Sequence, residues 1–226
     1  MCEFFSALVT RQGEMIWDPA TDSHTDLIDS CGLRNVEDSE CSYFAKIEFT
    51  PSSRDKADEI DGYTLRVDEY NEPGWFDDEM RENIIKKCRS IVSRMILTGE
   101  HKCILSGKYI IGKGAKIGRT VNSNIVAMLE SSKVGEMLES SQVGEMWGSS
   151  QVGAMRESSQ VGTMWGSSQV GAMRGSSQVG AMRGSSQVGA MRGSSKVGEM
   201  LESSQVGAML ESSQVGEMWG SSQVGA

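Results

Sequence analysis

The chain has 226 residues, a formal charge of −9 and no run approaching the roughly 20 apolar residues that a membrane-crossing helix needs. Residues 1–112 hold 22 acidic side chains against 13 basic ones, and residues 113–226 hold nine of each. An acidic first half argues against nonspecific nucleic-acid or anionic-membrane binding there, and a neutral second half has neither a basic footprint nor the acidity of a DNA mimic.

Five cysteines (Cys2, Cys31, Cys41, Cys88 and Cys103) all lie in the first half. Their number is odd and they form no CxxC. The start, Met1-Cys2-Glu3-Phe4-Phe5, lacks the basic and apolar regions of a signal peptide. Free thiols in a reducing, cytoplasmic setting are expected.

In chain order, Phe4–Thr10 reads as a strand, and Arg11–Glu14 as a turn with Gly13 at a positive-φ position. Met15-Ile16-Trp17 reads as the returning strand, ended by Asp18-Pro19. Asp22 or Ser23 caps a short helix with Leu27, Ile28 and Cys31 on one face and Gly32 as its stop. Residues Asn35–Cys41 are polar loop. Tyr43–Phe49 alternates with period two, as does Tyr63–Val67, and both read as strands. After Pro73-Gly74, the spacing of Phe76, Met80, Ile84, Cys88, Ile91 and Met95 predicts an amphipathic helix of about 20 residues, with Asp77, Asp78 and Glu79 near its positive end. His101–Ile111 reads as one further strand. The expectation is an α+β domain over residues 1–112, its helices on one face of a mainly antiparallel sheet.

From Ser131 onward one nine-residue phrase repeats: Ser-Ser-Gln/Lys-Val-Gly-x-Met-x-Gly/Glu. Asn122–Glu130 is an imperfect copy, and Gly114–Val121 is a copy one residue short. Valine at the fourth place and methionine at the seventh are three apart, so a flat strand would send them to opposite faces. Nine residues also drift against a helical period, and the serines and glycine are poor helix formers. Two small strands per phrase, joined by a positive-φ corner at the repeat glycine (Gly135, Gly144, Gly153), bring Ser132, Val134 and Met137 inward together. Two phrases make an 18-residue coil. At that step the eighth positions sort into two ranks: Arg156, Arg174 and Arg192 between Leu138 and Leu210, and Leu129, Trp147, Trp165, Arg183, Leu201 and Trp219. Stacked hydroxyls such as Ser132 are expected to satisfy one another, and five or six coils would span on the order of 25 Å.

In type, this array resembles the short-period β-solenoids of bacterial and phage proteins, such as pentapeptide-repeat and calcium-binding nonapeptide proteins. The resemblance covers Gly114–Ala226, implies a parallel β-solenoid and carries no functional residue. No aspartate follows Asp78, so the calcium chemistry of the nonapeptide class is absent, and the pentapeptide period is five rather than nine. The expected architecture is mainly β: an α+β domain over 1–112 capping a nonapeptide-repeat solenoid over 113–226.

Candidate chemistry in the first half centres on Asp22-Ser23-His24-Thr25-Asp26, where His24, Asp22 and Asp26 offer acid–base or ligand groups. The structural alternative is a capped helix start with an exposed His24. His101 reads as structural. Two histidines without ligand spacing give no zinc motif, so no metal and no cofactor are expected. Cys31 and Cys88 fall on apolar helix faces, where inert thiols are the rule. Asp77-Asp78-Glu79 reads as a solvated helix start, and Gly107-Lys108…Gly112-Lys113-Gly114 lacks the phosphate-loop pattern.

The candidate interaction face is Arg156, Arg174, Arg192, Trp147, Trp165 and Trp219. The expected function is therefore a non-enzymatic structural or interaction protein with a protein partner. The array stops in mid-phrase at Ala226, so either the chain continues or another copy closes that end, and pairing with a second copy through the C-terminal coils, Ser212 to Ala226, is the expectation. A small enzyme or ligand-binding domain carried on a solenoid arm is the alternative, and ice binding is a third.

Overall fold

The computed structural model describes residues 4–21, 23–33, 43–68 and 72–225. Asp22, Cys2, Cys41, the loop at 35–41 and Ala226 lie outside the described residues. The chain divides into two compact units, Met1–Met95 and Ile96–Ala226.

The first unit is α+β. Strands β1 (Ser6–Thr10), β2 (Met15–Ile16), β3 (Phe44–Thr50) and β4 (Thr64–Val67) form an antiparallel sheet in the order β2-β1-β3-β4. Gly13 takes φ 76° in the β1–β2 turn, as its place in the hairpin requires. Helix α1 (His24–Ser30) starts at Ser23, whose Oγ accepts the Asp26 N–H at 3.2 Å, and Gly32 follows it at φ 63°. Leu27 and Ile28 pack with Leu8 and Phe44.

Helix α2 (Asp78–Met95) buries Ile84, Cys88, Val92 and Met95. Its Cys88 Sγ lies 3.8 Å from Met15 Sδ, and its Lys87 Nζ donates to Gly13 O at 2.7 Å. Strand register puts Met15 opposite Val9, whereas Leu8 lies opposite Ile16. The two helices therefore cover opposite faces, not the single face expected, and Ser6 to Val9 of β1 are buried on both sides. The alternation read at 43–49 holds at Ala45, Ile47 and Phe49, which are buried, but Phe44 is buried too, under α1, and Tyr43 stands outside the strand, exposed.

The second unit is a parallel β-solenoid. Each nonapeptide supplies one strand, from β10 (Lys133–Leu138) and β11 (Gln142–Met146) through β19 (Gln214–Met218) and β20 (Gln223–Val224). Strands alternate between two eight-stranded sheets, so each strand pairs with the one 18 residues away: Val143 with Val161, Met146 with Met164, Val152 with Val170. With about 4.8 Å between strands, eight strands extend on the order of 34 Å.

That length exceeds the expected one because the solenoid begins before the array. Strands β5 (Ile96–Leu97), β6 (Glu100–Ile104) and β7 (Gly107–Ile111) already pair in parallel with β8 (Lys116–Val121) and β9 (Ser123–Met128). The repeat-based boundary at 112/113 thus falls inside the solenoid sheets. The stretch 101–111 is two strands in opposite sheets rather than one. Strands β5 to β7 lack the nonapeptide phrase, but their apolar residues Ile104 and Ile111 fill the same core as Ile117 of β8.

The corner lies elsewhere than the sequence suggests. Gly135, Gly144 and Gly153 sit within strands and do not have positive φ; the ninth residue does, as in Gly148 (62°), Glu157 (57°) and Gly175 (68°). The turn is closed by the second serine, whose N–H donates to the carbonyl of the eighth residue, as from Ser141 to Leu138 at 3.2 Å. What the mid-strand glycine provides is clearance. A Cβ on Gly153 would lie 2.5 Å from Gly135 O in the adjacent coil, and one on Gly144 would lie 2.6 Å from Val126 O. Alternation breaks beside it, since Val143 and Met146 are both buried although three residues apart. The core is thus columns of valine and methionine, with Val134–Val206 and Met137–Met200 almost fully covered. Each such side chain contributes roughly 1.5–3 kcal/mol by leaving water.

The inward serines do not satisfy one another as expected, because stacked positions about 4.8 Å apart exceed hydrogen-bond reach. Where a bond forms it is local: Ser141 Oγ donates to Leu138 O at 2.7 Å, on the carbonyl its own N–H already uses.

Candidate interaction face

The eighth residue of each phrase follows the buried methionine, at the corner where the strand ends. Its backbone N–H donates to the methionine carbonyl of the coil beneath: Trp147 to Met128 O, Trp165 to Met146 O, Arg183 to Met164 O, Leu201 to Met182 O and Trp219 to Met200 O. These residues form one rank. Arg156, Arg174, Arg192 and Leu210 bond in the same way to Met137, Met155, Met173 and Met191, and form the other rank, along the other sheet. The segregation read from the 18-residue step is therefore physical.

Within the first rank, the Trp147 and Trp165 rings stack with centroids 5.3 Å apart and planes 6° from parallel. The Arg183 guanidinium carbon lies 4.9 Å from the Trp165 centroid, in cation–π range. Strand spacing and ring-stacking distance nearly coincide, so the sheet itself sets the stack. All three side chains are half-buried, and Trp219 is 60% exposed. Two residues before each tryptophan, the sixth position matters: Trp147 Nε1 donates to Glu145 at 3.0 Å and Trp219 Nε1 to Glu217 at 3.1 Å. Thr163 replaces that glutamate below Trp165, whose buried Nε1 has no acceptor.

The second rank is less uniform than its composition suggests. Arg156 donates to Glu136 at 2.8 Å, and Arg119 lies 3.9 Å from the same carboxylate. Arg174 and Arg192 stand two residues beyond Ala172 and Ala190 and are exposed. The positive charge offered to solvent is thus concentrated at Arg174 and Arg192.

In the first unit, His24 and Asp26 of the sequence cluster take different partners, and Asp22 lies outside the described residues. Asp26 is exposed and occupied at the helix start, accepting the Thr21 hydroxyl at 2.9 Å. His24 is buried, not exposed: Nε2 lies 3.0 Å from Ile47 O and Nδ1 lies 3.2 Å from Asp68 Oδ2. Glu48 is the third member of this group. Neither Glu48 nor Asp68 was legible as a partner, because each reaches His24 through strand register rather than sequence proximity.

Among the described cysteines, Cys31 and Cys103 are exposed and Cys88 is buried. Burial pushes the Cys88 thiol up to about 12, which leaves it protonated and inert. Burial, with Asp58 second, likewise raises the Tyr63 hydroxyl, which donates to Ala57 O at 2.7 Å. A cleft of about 620 Å³ is lined by Gln12, Gly13, Asp77, Met80, Asn83 and Lys87 among others, and neither His24 nor a cysteine reaches it. Asp77 caps the helix there, accepting the Met80 N–H at 2.8 Å. No helix among the described residues is long and apolar enough to cross a membrane.

The class that fold and face define is a parallel β-solenoid with two unlike ranks of corner residues, carried on a chain with a small α+β unit. No protein-family profile, curated protein or solved structure matches this chain.

Proposed function

We propose that the chain is a non-enzymatic structural or interaction protein whose solenoid presents its corner ranks to a protein partner and self-associates through the coils from Ser212 to Ala226. The observation that carries this reading is the Trp147–Trp165–Arg183 stack, continued by Leu201 and Trp219. Tryptophan and arginine are the residues on which interface energy concentrates, and a sheet-held stack loses little side-chain entropy on binding. Arg174 and Arg192 on the other rank suit an acidic partner surface.

Self-association is supported by the last described coil. There Leu210, Met218, Trp219 and Val224 are 37–60% exposed, whereas the equivalent valines and methionines of inner coils are buried. A second copy stacked on these strands would cover that apolar edge and complete its backbone pairing. Sedimentation of the chain at micromolar concentration tests the proposal. A dimer is expected, with Trp219→Arg and Val224→Lys together shifting it to monomer. A parent chain that sediments as a monomer overturns self-association.

A further inference from the structure

The group around His24 lies outside that reading. His24 opens α1, Glu48 lies on β3, and Asp68 follows β4; one ligand atom from each lies within 4.8 Å of the others. Register explains the convergence. Glu48 pairs with Arg66, and the Asp68 N–H donates to Lys46 O, so Lys46, Glu48, Arg66 and Asp68 share one face of the sheet. Leu8 pairs with Lys46, which makes this the face that α1 covers.

The His24 ring is held from behind. A carbonyl only accepts, so Nε2, 3.0 Å from Ile47 O, carries a proton and donates it. Nδ1 then faces Asp68 Oδ2 at 3.2 Å. A ring protonated at Nε2 alone would point a lone pair at a carboxylate. Either a second proton, giving an imidazolium–carboxylate pair, or a cation between the two resolves that clash, and the cation would also engage Glu48. The 3.2 Å separation is close to the roughly 3.4 Å edge of a tetrahedron around a metal with bonds of about 2.0–2.1 Å. A backbone carbonyl on the far ring nitrogen is the usual brace of a metal-bound imidazole. Glu48 is half-buried and Asp68 exposed, which leaves the group open to solvent on one side.

We propose that His24 Nδ1, Glu48 and Asp68 bind one divalent first-row transition cation, for which Zn²⁺ is the natural probe given one nitrogen and two carboxylate ligands. Lys46 and Arg66 on the same face oppose the ion and lower its affinity below that of a closed structural site.

The test uses the full chain, reduced and stripped with chelator, titrated with Zn²⁺ by calorimetry and with Co²⁺ by absorption. Saturation at a single equivalent is expected, with a rise in melting temperature and Co²⁺ bands free of thiolate charge transfer. Asp68→Asn and Glu48→Gln should each weaken binding by at least roughly tenfold while leaving circular dichroism unchanged. These two are chosen because His24 is buried and its removal would disturb folding. Replacing Cys31 and Cys103 by serine should change nothing. Absence of saturable binding below millimolar metal, a thiolate band, or undiminished affinity in Asp68→Asn overturns the proposal and leaves an imidazolium–carboxylate pair as the whole account of the contact.

Discussion

Two positions of the nonapeptide carry backbone demands of opposite kind. Where coils stack in unbroken register the fifth residue must have no side chain, because a Cβ on Gly153 would press to 2.5 Å against Gly135 O; Val126, fifth in the imperfect copy, sits at the register shift between β7 and β9. Gly153→Ala should therefore cost about 3 kcal/mol or more, since the clash is with backbone and breaks strand pairing. Its neighbour is a control. Ala154→Thr should stay within about 0.5 kcal/mol, as Thr163 already occupies the same sixth position of the next phrase, in the other sheet. The ninth residue must take positive φ, which Glu157 does at 57°. Glu157→Gly should stabilise the coil by roughly 0.5–1 kcal/mol by relieving that conformation. Other glutamates at this place have a compensation: Glu202 accepts the Gly184 N–H and Glu211 the Gly193 N–H, each at 2.9 Å. Urea denaturation of the three variants would check the order.

For strands, the unit of identity is the coil and not the phrase. Valine and methionine columns are the same in both sheets, so the core accepts a shift of nine residues, whereas the corner ranks do not. Deleting 148–156 moves Trp165 to the corner opposite Trp147 and should abolish the exciton signal of stacked indoles, along with about 0.5–1.5 kcal/mol of ring pairing. Deleting 175–192 removes one whole coil and should leave that signal intact. Circular dichroism of the two deletions separates these outcomes. The α+β unit shows the same dependence on register. Met15 and Ile16 are adjacent in sequence, yet one faces α2 and the other lies on the α1 side.

At the scale of the whole molecule, the boundary between units follows pairing rather than composition. A fragment beginning at Ile96 keeps β5, β6 and β7 on the ends of the two sheets, and it should fold and melt cooperatively. One beginning at Lys113 bares Ile117 and Ile125 at that end, and its melting temperature should fall by roughly 5 °C or more. Thermal unfolding followed by circular dichroism compares them.

Period, core composition and the two ranks were legible in the sequence, because each repeats at fixed spacing: valine and methionine per phrase, tryptophan and arginine per pair of phrases. The hairpin at Gly13 and the helices around Leu27 and Cys88 were legible for the related reason that turn chemistry and amphipathic spacing are local. Only the tertiary structure decided that the repeat glycine lies within a strand, because the atom that excludes a side chain there belongs to another coil. It alone decided that 96–112 joins the solenoid, that the helices take opposite faces, and that His24 meets Glu48 and Asp68. Each of these depends on which strand lies beside which, and neither side-chain type nor nine-residue spacing records that.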